Sequence, residues 1–289
     1  MRRKTTILIV FFLIISIVFY YGIHFNKKDL LLDKVEKESI TTIVEGNYIA
    51  PKYCSSNKIL FTNEHGNKLF LKNLEDGKVE VLIEKGNLHN SYEWDSNCEN
   101  VIFKKKNKDY KMSFYSLNIY SKEINEIENI PDLTAINSFR VSDTIYFLDQ
   151  KNLQIKAKYK EKTWSITNDN ERYYNLHISP DGKKMIAHSG VNAYVISLES
   201  NEKNSLGKVI ITDWDKESKF IIGFLDESEN GHSISNSDLY LFNSINFKSK
   251  KLTNTKKYFE SYPFFMTDKK IGYSDLKNGG IYQKQIQLN

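Results

Sequence analysis

The stretch Leu176–Ala187, LHISPDGKKMIA, decides the fold. Leu176 and Ile178 alternate with polar neighbours, as in a half-buried strand. Pro180 then fixes φ, and Asp181 and Gly182 take the strained corner of a tight turn. Met185, Ile186 and Ala187 resume an apolar run. The same strand–turn–strand element returns as SYEWDSNCENVIF at Ser91–Phe103, ITDWDKESKFIIGF at Ile211–Phe224 and YPFFMTDKKIGY at Tyr262–Tyr273. Weaker copies are PKYCSSNKILF at Pro51–Phe61 and INSFRVSDTIYF at Ile136–Phe147.

Leu60, Ile102, Ile145, Ile186, Ile222 and Ile271 occupy equivalent places, with separations of 42, 43, 41, 36 and 49 residues. A second β-rich run follows each: Lys68–Leu71, Phe114–Leu117, Leu153–Lys156, Ala193–Leu198, Asp238–Phe242 and Gly280–Gln283. Most units add a third, at Val79–Ile83, Ile124–Ile127, Thr163–Thr167 and Lys250–Thr253. Counting the opening strand, each unit has about four strands at a period of about 42, the signature of a propeller blade. Residues 38–289 hold six such periods. The expected fold is an all-β, six-bladed β-propeller of four-stranded antiparallel blades. The last unit ends without an outer strand, while Ile40–Val44 (ITTIV) is a surplus strand before the first unit. Ile40–Val44 is therefore expected to complete the last blade and remove its open edge.

The turn of Ile178–Ala187 resembles the core repeat of the TolB-like propeller family, a WD40-like repeat also seen in the propeller domains of prolyl-oligopeptidase relatives. Trp94-Asp95 and Trp214-Asp215 match its aromatic position and turn start. Only the fourth unit carries the full Pro-Asp-Gly; the others read Asp-Ser-Asn, Lys-Glu-Ser and Thr-Asp-Lys. The resemblance covers residues 40–289 and implies protein-binding or scaffold roles outside the cytoplasm. The hydrolase domain of the peptidase relatives has no room here, and Gly-x-Ser-x-Gly is absent from the sequence.

Ahead of the repeats, Ile7–Ile23 (ILIVFFLIISIVFYYGI) carries no charge, and Thr5 and Thr6 extend it to 19 residues. About 20 apolar residues span a bilayer. Arg2, Arg3 and Lys4 precede the run, and Tyr20 and Tyr21 fall at an interfacial position. Residues 1–25 read as an uncleaved signal anchor, with residues 5–25 in the membrane and the C-terminal domain extracytoplasmic. A cleaved signal peptide is the rival reading. Residues 26–39 read as a stalk or linker. Of the net charge of +5, the three leading basic residues supply most. The remainder is too weak for a nucleic-acid binder.

Chemistry is sparse in the sequence. The six histidines (His24, His65, His89, His177, His188, His232) make no HExxH pair and have no zinc spacing to cysteine. No catalytic residue, cofactor site or metal site is assigned. Cys54 and Cys98 lie at the turns of neighbouring blades one and two, and the sequence leaves open a disulfide or two separate thiols. Two polar hairpins, expected on one face of the disc, are the candidate partner-binding residues: Lys104, Lys105, Lys106, Lys108 and Lys111 in blade two, and Asp226, Glu227, Glu229 and His232 in blade five. The bland alternative is a solvated hairpin in each case. Calcium among the acidic oxygens is a lesser alternative, since the EF-hand spacing is absent. Trp94 and Trp214 are expected to pack between blades, against the alternative that they and Trp164 are sugar-stacking platforms. The functional expectation is a non-catalytic scaffold at the cell envelope, binding a protein or an anionic polymer. One rival is an enzyme acting on surface polysaccharide, disfavoured because no recurrent inner-strand acids are recognised. A sensory ectodomain is the other.

Overall fold

The computed structural model describes residues 40–88, 91–106, 109, 111–228, 233–267 and 269–288. The apolar run Ile7–Ile23 and the segment Asn26–Ser39 lie outside them. No helix among the described residues is long and apolar enough to cross a membrane. The chain divides into two units, Met1–Thr41 and Thr42–Asn289. The architecture below is that of the second.

Six antiparallel sheets follow one another along the chain. Blade one is β2 (Tyr48–Cys54), β3 (Lys58–Asn63), β4 (Leu69–Asn73) and β5 (Val79–Ile83); blade two is β6 (Tyr92–Trp94), β7 (Asn100–Lys106), β8 (Met112–Asn118) and β9 (Ile124–Ile127). Blade three has β10 (Ile145–Leu148), β11 (Ile155–Tyr159) and β12 (Lys162–Ser165). Blade four is β13 (Tyr173–Ile178), β14 (Lys184–Ser189), β15 (Asn192–Ser197) and β16 (Lys203–Lys208), and blade five is β17 (Ile210–Trp214), β18 (Phe220–Glu227), β19 (Asn236–Asn243) and β20 (Ser249–Lys251). Blade six combines β21 (Glu260–Thr267), β22 (Lys270–Asp275) and β23 (Ile281–Gln285) with β1 (Thr41–Val44), in the order β1-β23-β22-β21. The fold is thus the six-bladed propeller expected from the repeat.

The closing strand also lies where the strand count put it, beside β23. Gly279 and Gly280 make room for it. Both have positive φ, and a Cβ on Gly280 would lie 3.0 Å from the Val44 carbonyl oxygen. Gly280 N–H donates to Gly46 O at 2.5 Å.

Blade three corrects the expectation of four strands. Its innermost strand is reduced to a single bridge, Thr134↔Phe147, followed by the one-turn helix α1 (Ser138–Val141) where a tight turn was expected. The reason lies in the side chains of Asn137 and Ser138. Asn137 spends its amide on another blade, donating to Ile178 O at 2.9 Å and accepting from Ile178 N at 3.2 Å. Ser138 Oγ accepts the Tyr146 N–H. Local side-chain bonds of this kind compete with a ladder.

The core sits between blades rather than in one centre. Successive strand residues point to opposite faces, so neighbours in one run serve different seams. Leu60 packs with Trp94 and Phe103 of blade two, whereas Ile59 and Phe61 pack with Phe264 and Ile281 of blade six. Ile221 and Ile222 divide in the same way between the seams to blades four and six. This two-sided burial accounts for continuous apolar runs in place of strict alternation.

Cys54 and Cys98 are joined in a disulfide, with Cα atoms 6.1 Å apart, linking the turns of blades one and two. Replacing both by Ser should cost about 2–4 kcal/mol and lower the melting temperature, with reductant producing the same drop in the wild type alone. A second expectation concerns ring closure. Deleting residues 38–46 removes the outer ladder of blade six, at roughly 0.5–1.5 kcal/mol per bond against a typical domain stability of about 5–15 kcal/mol. The truncated chain should melt far earlier or aggregate, whereas deletion of residues 26–36 should leave the melting curve unmoved.

Candidate functional site

Five of the six blades place one residue of the innermost strand opposite the repeat position recognised in the sequence. Lys52 pairs with Leu60, Glu93 with Ile102, His177 with Ile186, Asp213 with Ile222 and Phe265 with Ile271. These side chains converge on the central channel. Blade three contributes Arg140 from α1 instead. The expectation that the inner strands carry no converging acids is therefore corrected: Glu93 and Asp213 both face the channel, from blades at opposite sides of the ring.

Charges are balanced across this throat. Glu93 is buried, with Lys52 Nζ at 3.5 Å from Oε2 and Arg140 Nη1 at 3.8 Å from Oε1. Its Oε1 accepts the Trp94 N–H at 3.1 Å. Asp213 accepts the N–H groups of Trp214 and Phe265, each at 2.9 Å. Burial pushes the Asp213 carboxyl up to about 6, opposed by Arg140 and Lys52 and reinforced by Glu93. Burial likewise holds His177 well below the usual imidazole range, with Lys52 and His188 acting in the same direction.

Of the two hairpin histidines, His188 is buried among strand contacts, whereas His177 faces the channel. His188 Nε2 accepts the Ile211 N–H at 3.1 Å, so the ring proton sits on Nδ1, 3.2 Å from Asn175 O. His177 Nε2 lies 3.0 Å from Asn175 Oδ1. Trp94 and Trp214 are buried between blades, as expected. Each indole N–H donates to the innermost strand of the preceding blade, to Lys52 O at 3.0 Å and to His177 O at 3.2 Å.

Two cavities meet at His177 and Thr212. The larger, about 520 Å³, opens on the face that carries the hairpins between second and third strands; Lys104, Tyr174, Ile210 and Tyr262 line it. The smaller, about 240 Å³, opens on the face of the tight turns, among Tyr53, Arg140, Pro180, Asp215 and Met266.

Of the candidate partner-binding residues, Lys104 reaches the larger cavity and its Nζ lies 5.0 Å from the Phe114 ring centre. Burial lowers the Lys104 ammonium, with Asp132 opposing. Lys105 and Lys106 are exposed on the end of β7, and Lys111 is exposed beyond the turn. Asp226 is half-buried on β18; its carboxyl is raised by burial against a hydrogen bond from Ser237, and its charge bears on Tyr262 at the cavity wall. Glu227 is exposed. Lys108, Glu229 and His232 lie outside the described residues. Lys52, Glu93, Arg140 and Asp213 were not singled out from the sequence. The residue opposite each repeat position would have found all of them except Arg140. Among the described residues, no three His, Cys, Asp or Glu side chains are grouped to hold a metal ion.

No family model matches the chain, and no curated protein matches its sequence. Solved structures share its fold. TolB from Acinetobacter baumannii superposes with a TM-score of 0.55 at 12% identity over 83% of this chain, which spans 58% of that chain's length. An oligogalacturonate lyase from Vibrio parahaemolyticus gives 0.52 at 12% identity, covering 85% of this chain and 80% of its own. A Bacteroides thetaiotaomicron protein of unknown function gives 0.59 at 9% identity, covering 86% and 76%. At these identities the likeness establishes the fold and nothing finer.

Away from the channel, at the seam of blades five and six, Glu260 is 1% exposed. Its Oε1 accepts the Thr255 hydroxyl at 2.9 Å, and its Oε2 has no partner among the described residues. Burial pushes its carboxyl from 4.5 up to about 7, with repulsion from Asp238 and Asp275 adding to the rise. A raised carboxyl stabilises the fold fully below the unfolded value, and that stability is lost as pH climbs through the folded value. Between about pH 4.5 and 7, urea melts should therefore show Glu260 costing on the order of 3 kcal/mol. In Glu260→Gln this share of the pH dependence should vanish. Parallel pH profiles for the two proteins would contradict the assignment.

Proposed function

We propose that the chain is a non-catalytic binding module, anchored by Ile7–Ile23 outside the cytoplasm, that recognises a protein or an anionic envelope polymer on its hairpin face. The observation that carries this reading is the state of the ionisable groups around the channel. Both nitrogens of His188, both oxygens of Asp213 and one oxygen of Glu93 are spent on main-chain groups. Such groups hold a surface in shape; a general acid or base needs a proton site facing its substrate. The preformed cavity of about 520 Å³, with half-exposed Tyr174 and Ile210 at its wall and Lys104 at its edge, suits recognition. The Cys54–Cys98 bond supports an oxidising compartment. The TolB likeness fits a scaffold by analogy of fold alone.

A second reading, an enzyme acting on cell-surface polysaccharide, draws on the convergence of Glu93 and Asp213 in the throat. It also draws on the shared fold of the oligogalacturonate lyase. Incubation with acidic and neutral envelope polysaccharides separates the two readings. Shortened chains, abolished by Asp213→Asn and Glu93→Gln, would replace the binding reading with this one.

On the binding reading, retention of envelope material by the immobilised protein should fall when Lys105 and Lys106 become Ser. The fall should be largest at low ionic strength, because exposed charges are screened beyond about 8–10 Å in physiological salt. Both residues are exposed, so the fold should lose less than about 0.5 kcal/mol. Lys104→Ser should cost more, since its ammonium rests on Phe114. Equal retention by all variants at every salt concentration would turn these lysines back into a solvated hairpin.

A further inference from the structure

We propose that the turn-side throat is a binding subsite for the carboxylate of a small organic acid, gripped by Arg140, with Lys52 adding positive charge from across Glu93. This goes beyond the role of the hairpin face and does not depend on it.

Donors and acceptors in the throat are unequal. Arg140 carries five N–H groups and Lys52 three. Their nearest anionic atoms, the Glu93 oxygens, stand at 3.8 and 3.5 Å. Those separations exceed the 2.7–3.2 Å of an N–H···O bond. Among the described residues, neither side chain makes a closer polar contact. The acids are in the opposite condition. Asp213 accepts two main-chain N–H groups at 2.9 Å and Glu93 Oε1 accepts a third at 3.1 Å. The throat is therefore short of acceptors, and the missing chemistry is an anion, not a cation.

The presentation of Arg140 is built into the fold. Blade three gives up its innermost strand at this point and puts α1 there, clamped to the neighbouring blade by the paired Asn137–Ile178 hydrogen bonds. The Arg140 side chain is 39% exposed and lines the turn-side cavity, open to an anion from solvent; the Lys52 side chain is 16% exposed and lines the larger cavity, the two cations flanking Glu93. A planar guanidinium matches a carboxylate through two parallel bonds, which a spherical anion cannot use. Val141, Pro180, Phe265 and Met266 offer apolar walls in a space of about 240 Å³, enough for a short hydrocarbon tail but not a polymer strand. Glu93 competes with the ligand for both cations. Asp213 faces Arg140, Lys52 and Glu93, with His177, Asp215 and Lys216 along the same wall. Once protonated, near pH 6, it ceases to oppose a bound anion.

The test is calorimetric titration of the full chain in detergent, at low chloride, with sodium succinate. Saturable binding is expected in the millimolar range or tighter. Arg140→Gln should weaken it about tenfold or more, the scale of one lost charge-assisted bond, and Lys52→Met should weaken it less, through lost positive charge alone. Glu93→Gln should tighten it severalfold, and so should lowering the pH from 7.5 to 5.5. An unchanged melting temperature for Arg140→Gln separates lost binding from lost folding. A tripeptide with a free C-terminus, set beside its amide, identifies the source. If the free-acid peptide binds more tightly than succinate and the amide does not bind, the carboxylate belongs to a chain end; if succinate binds at least as tightly, it belongs to a free acid. No saturable binding of any carboxylate would overturn the proposal. So would equal binding of sodium chloride, undiminished binding by Arg140→Gln, or weaker binding by Glu93→Gln.

Discussion

In five of the blades the innermost strand has one edge with no strand beside it, and the architecture depends on how that edge is satisfied. Unpaired main-chain groups in a narrow channel are costly. The chain answers with side chains borrowed from the neighbouring blades. Trp94 and Trp214 reach back to Lys52 O and His177 O, Tyr92 to Ala50 O, and Thr212 forward to Pro263 O. Asn137 binds both main-chain groups of Ile178, and Asp213 receives the Phe265 N–H. These stitches set each inner strand against its neighbour.

The same requirement shapes the chemistry of the channel. Its acids are there first as acceptors for edge N–H groups, and once placed they attract Lys52 and Arg140. Negative charge in the throat is thus committed to the backbone. Positive charge is held only loosely, at 3.5 and 3.8 Å. Blade three is where the rule is broken: a one-turn helix stands in for the strand, and a guanidinium enters where other blades present strand residues.

Much of the fold was legible because a propeller repeats. A turn rich in Asp, Gly and Asn, an apolar run buried on two faces and a surplus β-branched segment each leave a local mark. The blade count and the partner of Ile40–Val44 followed from those marks. The channel was less legible. Its residues come one from each blade, about 40 positions apart, and no local motif unites them. Glu93 and Asp213 each stand just before a recurring tryptophan, a signal that the alternation of a strand makes readable in hindsight. Arg140 left no such signal, because Asn137 and Ser138 divert the chain from strand pairing through contacts that the sequence does not reveal. The Cys54–Cys98 bond stayed open for a similar reason, since it depends on the distance across a seam.

The order β1-β23-β22-β21 also has a consequence in time. Blades one to five are each assembled from consecutive chain, so each can form as its own residues become available. Blade six needs both ends at once. β1 precedes every other described strand, yet has no partner until β23 is complete. Joining them closes a loop that spans the other five blades, the longest closure among the described sheets. Until it forms, β23 presents a bare edge to any other chain nearby. Blades made of consecutive chain can therefore form ahead of the one that needs strands from both ends of the propeller, and the exposed edge persists until that long-range pairing is made.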